Sequence, residues 1–129
     1  MAVVADAANR AEGGRLNLLG VFSDLFAQAV PAQHPTMALV LVFQATALER
    51  GTTPKIAIKL VNEDGKQLFS LNDSQIIVPN DPNVISPSPN LIVNLNGIMF
   101  ENWGTYRFDI EIDGETKAQV PIYLRRFGT

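Results

Sequence analysis

The sequence predicts an all-β protein: a single-domain β-sandwich of about seven to nine strands, with immunoglobulin-like or Greek-key connections. Three observations predict it. The stretch Gly104–Leu124 alternates apolar and polar residues, breaks at Asp113-Gly114, and alternates again. Further short runs of alternation recur along the chain between Gly, Pro, Asn and Asp clusters. No heptad, internal repeat or low-complexity segment competes with this period of two. A closed barrel is the competing architecture. At 129 residues the whole span 1–129 is expected to be one domain, long enough to bury a single core.

In chain order, Ala2–Asn9 is a run of small apolar residues around Asp6, read as a strand that turns at Glu12-Gly13-Gly14-Arg15 into Leu16–Leu19. Gly20–Val30 admits two readings. Phe22, Leu25, Phe26 and Ala29 follow helical spacing, so a short helical segment near 22–29 with Ser23 as its cap is one. The other extends the preceding strand through Val21-Phe22, with an irregular crossing from Asp24. Pro31 and Pro35 then bound a loop that holds the only histidine, His34.

Met37–Ala45 is apolar on both faces, Leu39, Leu41 and Phe43 on one and Ala38, Val40 and Val42 on the other. A sandwich strand has one wet face by default, so something must cover the second. The 21–30 segment or a second copy of the chain are the candidates. Lys55–Val61 alternates with Ile56, Ile58 and Leu60 inward, turns at Asn62-Glu63-Asp64-Gly65, and returns through Gln67–Leu71. Gln75–Val78 reads as a third short strand. Pro79–Pro89 holds four of the eight prolines and reads as a long surface loop. Asn90–Asn96 is a strand with Leu91, Val93 and Leu95 inward, and Gly97–Phe100 a bulge before the Asn102-Trp103-Gly104 turn.

In the final hairpin, Tyr106, Phe108, Ile110 and Ile112 face the core, continued by Ala118, Val120, Ile122 and Leu124. Asp-Gly invites a two-residue turn, but that parity pairs Ile112 with Glu115 and Ile110 with Lys117. An odd loop of about three residues, with Gly114 in a left-handed or bulge conformation, keeps the apolar sets together. Either odd register sets Lys117 opposite Asp109 or Glu111. Tyr106, just after Gly104, matches the corner of immunoglobulin-like sandwiches at which a tyrosine hydroxyl bonds nearby backbone.

Composition excludes several functions. A hydrophobic share of 47% with 18% charged residues is that of a soluble globular domain. Net charge is −3 and Arg125-Arg126 is the only adjacent basic pair, so no nucleic-acid partner is expected. The longest apolar run, Met37–Phe43, is too short to span a bilayer, and with no basic region followed by an apolar run near residue 1 no signal peptide is expected. With no cysteine, a cytoplasmic setting is the default.

No catalytic constellation emerges. His34 has no nucleophile or acid at a recognisable spacing. Asn62-Glu63-Asp64, Asn72-Asp73 and Asn80-Asp81 could gather oxygens for calcium, yet these residue types also build turns. Trp103, Tyr106 and Tyr123 could stack on a sugar, but only Tyr123 faces outward by parity. No cofactor is expected.

Asp6 and Asn9, then Gly14-Arg15-Leu16-Asn17-Leu18-Leu19-Gly20-Val21-Phe22, then Pro31 and His34-Pro35, resemble a bacterial family of small uncharacterised proteins. The likeness continues through Asn62-Glu63-Asp64-Gly65 and the final hairpin. It implies a soluble β-rich domain with no assigned activity, and carries no catalytic residue. The expected role is a non-enzymatic protein-interaction or homo-oligomerising module. Val40 and Val42 on the second apolar face, Pro79 and Asp81 in the long loop, and Tyr123 are its candidate contact residues. A module binding carbohydrate or calcium through its loops is the alternative.

Overall fold

Alternation at period two resolves, in the computed structural model, into strands β1 (Ala2–Arg10), β2 (Leu16–Phe22), β3 (Asp24–Ala27), β4 (Ala32–Val42), β5 (Lys55–Val61), β6 (Gln67–Gln75), β7 (Asn90–Phe100), β8 (Gly104–Ile112) and β9 (Glu115–Arg126). Residues 1–84 and 87–127 are described, so positions 85 and 86 of the long loop lie outside the described residues. The strands form a sandwich, one sheet in the order β2-β1-β4-β7 and the other β3-β9-β8-β5-β6. Neighbours pair antiparallel except β3 with β9, which are parallel. The inward sets meet between the sheets: Leu39, Ile58, Leu60, Phe108 and Ile122 are fully buried. Each such side chain contributes about 1.5–3 kcal/mol by leaving water.

The second face of β4 is covered by the chain itself. β1 pairs with β4 only over Ala2–Ala5 and continues with β2 as far as Arg10. An unbent β1 would leave Arg10 roughly 30 Å from Asn90, at the far end of the β7 ladder. Instead the Arg10 guanidinium bonds Asn90 Oδ1 at 2.5 Å and its backbone oxygen at 3.1 Å. The β1–β2 hairpin therefore folds back across the outer face of β4, and Ala38 and Val40 are 1% and 0% exposed. Neither the 21–30 segment nor a second copy is needed there.

The final hairpin corrects the loop length. Ile112 lies opposite Glu115, so Asp113 (φ 50°) and Gly114 (φ 82°) form a two-residue turn with both central residues left-handed. The odd offset is supplied one step later, where Ile110 pairs with Ala118 and Lys117 is the bulged residue. Glu115 beside Ile112 is tolerable because it sits exposed at the tip. Lys117 consequently pairs with Glu115 at 3.3 Å and not with Asp109 or Glu111.

Three more elements differ from the sequence expectation. Of the two readings of Gly20–Val30 the helix falls: β2 extends through Phe22, and Asp24–Ala27 is a strand and not an irregular crossing, because β9 offers it an open edge, where Ser23 O accepts from Tyr123 N–H at 2.8 Å and Arg125 Nε donates to Asp24 Oδ1 at 2.5 Å. The Pro31–Pro35 segment belongs to β4. Pro35 has no N–H for the ladder, and Gln33 Nε2 donates to the Gly97 oxygen at 3.4 Å in its vicinity. Gln75–Val78 is no separate strand. β6 ends at Gln75, and Ile76 and Val78 donate to the oxygens of Pro54 and Thr52.

Candidate functional site

The outermost strand of the first sheet is β7, eleven residues long and paired only with β4. The direction of its backbone groups follows from the ladder. Phe43 N–H donates to Pro89 O and Ala45 N–H to Pro87 O, both at the constant offset of the β4–β7 register. Odd-numbered residues of β7 before the left-handed Gly97 therefore bond β4, while Ile92, Asn94 and Asn96 turn their N–H and C=O groups outward. Among the described residues, no other backbone segment bonds those groups. The strand, NLIVNLNGIMF, holds no charge and no proline, two of the devices that usually blunt a free edge.

Beside this edge the core is open. Leu91, Val93 and Ile98 of β7 and Leu68, Phe69 and Leu71 of β6 pack against the core but are only partly buried. Their counterparts in the middle of the sandwich, such as Leu39 and Ile58, are fully buried. A groove of 340 Å³ lies at the 97–101 end of this edge, lined by Leu68, Ile98, Met99 and Tyr106 together with Lys66 and Glu101. Polar clasps bound the edge. Arg10 holds Asn90 at one end, and Lys66 Nζ meets Glu101 Oε2 at 3.1 Å at the other.

The sequence candidates fall elsewhere. Val40 is wholly buried and offers no surface to a partner, and Val42 is half-buried at the end of β4. Pro79 and Asp81 are exposed in the long loop, where Asp81 Oδ1 accepts from Asn83 N–H at 2.9 Å. Tyr123 is half-buried on the outer face of the second sheet, with the Arg125 guanidinium 5.5 Å from its ring centre. The hydrogen bond to Asp24, and then its charge, raise the Arg125 pKa above its ordinary value.

The polar turns do not converge. Asn62 Oδ1 accepts from the N–H groups of Asp64 and Lys66, as a local turn requires. Glu63 Oε1 instead takes Thr105 N–H at 2.8 Å, and among the described residues no cluster of three histidine or carboxylate groups forms. His34 turns toward Phe22, 5.9 Å between rings, beside a 60 Å³ pocket whose lining holds no carboxylate. Its Nε2 is buried without a protein partner. Tyr106 makes the expected corner: its hydroxyl donates to Asn102 O at 2.6 Å and accepts from Asn102 N–H at 3.2 Å. The β7 edge was missed because being an edge is a property of topology. The only local signal was eleven residues without charge.

Two sheets joined by crossovers, a parallel strand against the last strand and a tyrosine corner define an immunoglobulin-like β-sandwich. The chain belongs to the family of unknown function DUF6941, whose model matches residues 1–125. It is similar in structure to an immunoglobulin-like protein from Pseudomonas aeruginosa, with 10% identity and a TM-score of 0.46 over 95% of this chain and 96% of that one. A second similar structure is the alkylpurine DNA glycosylase AlkC of Pseudomonas fluorescens bound to DNA containing an abasic site analog. There the identity is 12%, the TM-score 0.44, and the match covers 80% of this chain and 28% of that one. No curated protein matches the chain. Among the described residues no helix is long and apolar enough to cross a membrane.

Proposed function

We propose that the protein is a non-enzymatic interaction module that binds by strand addition at the free edge of β7. The observation that carries this reading is an eleven-residue, uncharged, proline-free edge lying along the side where the core is only partly buried. Strand addition satisfies a row of backbone donors and acceptors at once, while side chains at alternate positions enter the groove and set specificity.

The test uses Asn94→Pro. Asn94 N–H points away from β4, so proline there removes one outward donor and leaves the internal ladder whole. A partner captured by the wild-type chain should be lost by the variant, and the amides of Ile92, Asn94 and Asn96 should become protected from hydrogen exchange in the complex. A partner held equally by both proteins, with those amides unchanged, would overturn the reading.

A further inference from the structure

We infer that the cavity at the β8–β9 tip of the sandwich binds a small apolar molecule carrying a carboxylate, of the class of a medium-chain fatty acid. Its lining includes no residue of β7, so the site stands apart from the edge described above. The cavity forms because strands end there: β4 at Val42, β6 at Gln75, and β8 where it turns at Asp113-Gly114 into β9. Its volume is 450 Å³, in the range of small-molecule sites. The floor is core, with Leu41, Ile76 and Ile110 at 1%, 6% and 1% exposure. The mouth is polar, since Gln44, Glu49 and Lys117 also line the cavity and are exposed. An apolar floor under a few polar groups fits an amphiphile.

The bulge in β9 points to an acid. Successive side chains of a regular strand lie on opposite faces, so only one of Lys117 and Ala118 could reach a cavity between the sheets. Both line it. The register passes from Glu111–Thr116 to Ile110–Ala118 and skips Lys117, and a bulge of this kind re-aims the side chain it frees. A lysine that alternation would send to the outer face therefore stands at the mouth of an apolar cavity. Its partner is Glu115 at 3.3 Å, which is 74% exposed at the hairpin tip and outside the lining. So exposed a pair is weak enough to be exchanged for a ligand carboxylate. Glu49 is engaged elsewhere, its Oε1 accepting from Thr46 N–H at 2.9 Å and Thr46 Oγ1 at 3.1 Å. The acid head then meets the Lys117 ammonium, with the Gln44 amide as a second donor, and the tail lies on Leu41 and Ile110. An amine head would instead face the lysine as a like charge.

The test titrates the full chain by calorimetry with decanoate, decanol and decylamine, each below the concentration at which it aggregates. Decanoate should saturate a single site and bind about tenfold or more tighter than the other two. Lys117→Gln should remove that preference and bring decanoate to the level of decanol. Ala118→Leu, which fills the cavity from its wall, should weaken decanoate and decanol alike, again by about tenfold or more. Thermal melts report whether each variant folds, and Lys117→Gln, at an exposed position, carries the test if Ala118→Leu does not.

Absence of saturable decanoate binding, or equal binding of the three probes, overturns the inference. So does decanoate binding that Lys117→Gln leaves unchanged, or that a folded Ala118→Leu leaves unchanged. Light scattering on the same samples tests the remaining occupant. Leu48, next to Glu49, is 95% exposed, and a dimer that Ala118→Leu converts to monomer, with decanoate unbound, would put a second copy's side chain in the cavity. Asn94→Pro should bind decanoate as the wild type does, and a loss there would move the ligand to the β7 edge and overturn the cavity site.

Discussion

Tyr106 shows how much one side chain holds in place. Its ring meets Phe100 edge-on at 4.8 Å, and its hydroxyl serves both the N–H and the oxygen of Asn102, which tethers the turn to the start of β8. Tyr106→Phe keeps the ring and leaves two backbone groups of Asn102 to find water. Equilibrium urea unfolding should show a loss of about 1–3 kcal/mol, the cost of leaving part-buried polar groups unpaired. An unchanged midpoint would mean that the hydroxyl contributes no stability. This corner was legible in the sequence because both partners lie in one short stretch. The Glu63 carboxylate that accepts Thr105 N–H was not, since the two residues are 42 apart in sequence and meet only through the β5–β8 pairing.

At the scale of the element, the ladder of β7 has two unlike sides, and proline reads them apart. Val93 donates toward β4 in the middle of the sheet, whereas Asn94 donates outward. Val93→Pro should cost about 1–3 kcal/mol by breaking a ladder bond and leaving a β4 carbonyl unpaired, and Asn94→Pro should lie within about 0.5 kcal/mol of wild type. Thermal melts of the two variants check this, and equal losses would show that the edge is not free. Strand identity was readable at this scale where alternation was clean, as in β5, β8 and β9. It stayed open in 22–29, where Phe22, Leu25 and Phe26 fit helical spacing as well as any strand. What decided that segment was the vacant edge of β9, an acceptor for backbone bonds that no local period encodes. The hairpin tip failed for a related reason. Parity was judged for the whole strand at once, while the fold lets an exposed pair at the tip be wrong and corrects the offset with one bulged lysine.

Across the whole molecule, burial falls off from the centre toward the flanks, where Ala118 and Val120 of β9 as well as residues of β6 and β7 are only partly buried. On β4 and β5, Leu39, Leu41, Ile58 and Leu60 are 0–1% exposed, while the β6–β7 flank keeps Leu71 and Leu91 partly open to solvent. At the opposite flank β1 meets β9 and β3 crosses to pair with β9, while the N-terminal hairpin bends over the outer face of β4. That is why the doubly apolar strand, legible as an anomaly, pointed to a missing cover that the chain itself supplies. Truncation should report this gradient directly. Leu39→Ala leaves a cavity in the closed centre and should cost about 2–5 kcal/mol in chemical denaturation. Leu91→Ala removes a side chain that water already reaches, and should cost less, because less area is returned to solvent and no sealed void forms. A strand added beyond β7 would bury Leu91 completely, so the ordering changes in the bound state. Leu91→Ala should then weaken binding of the captured partner, whereas Leu39→Ala should destabilise the free fold and leave affinity per folded molecule near wild type. Equal losses of stability at both positions would mean that the β6–β7 flank is as closed as the centre, and a closed flank has no place for an added strand.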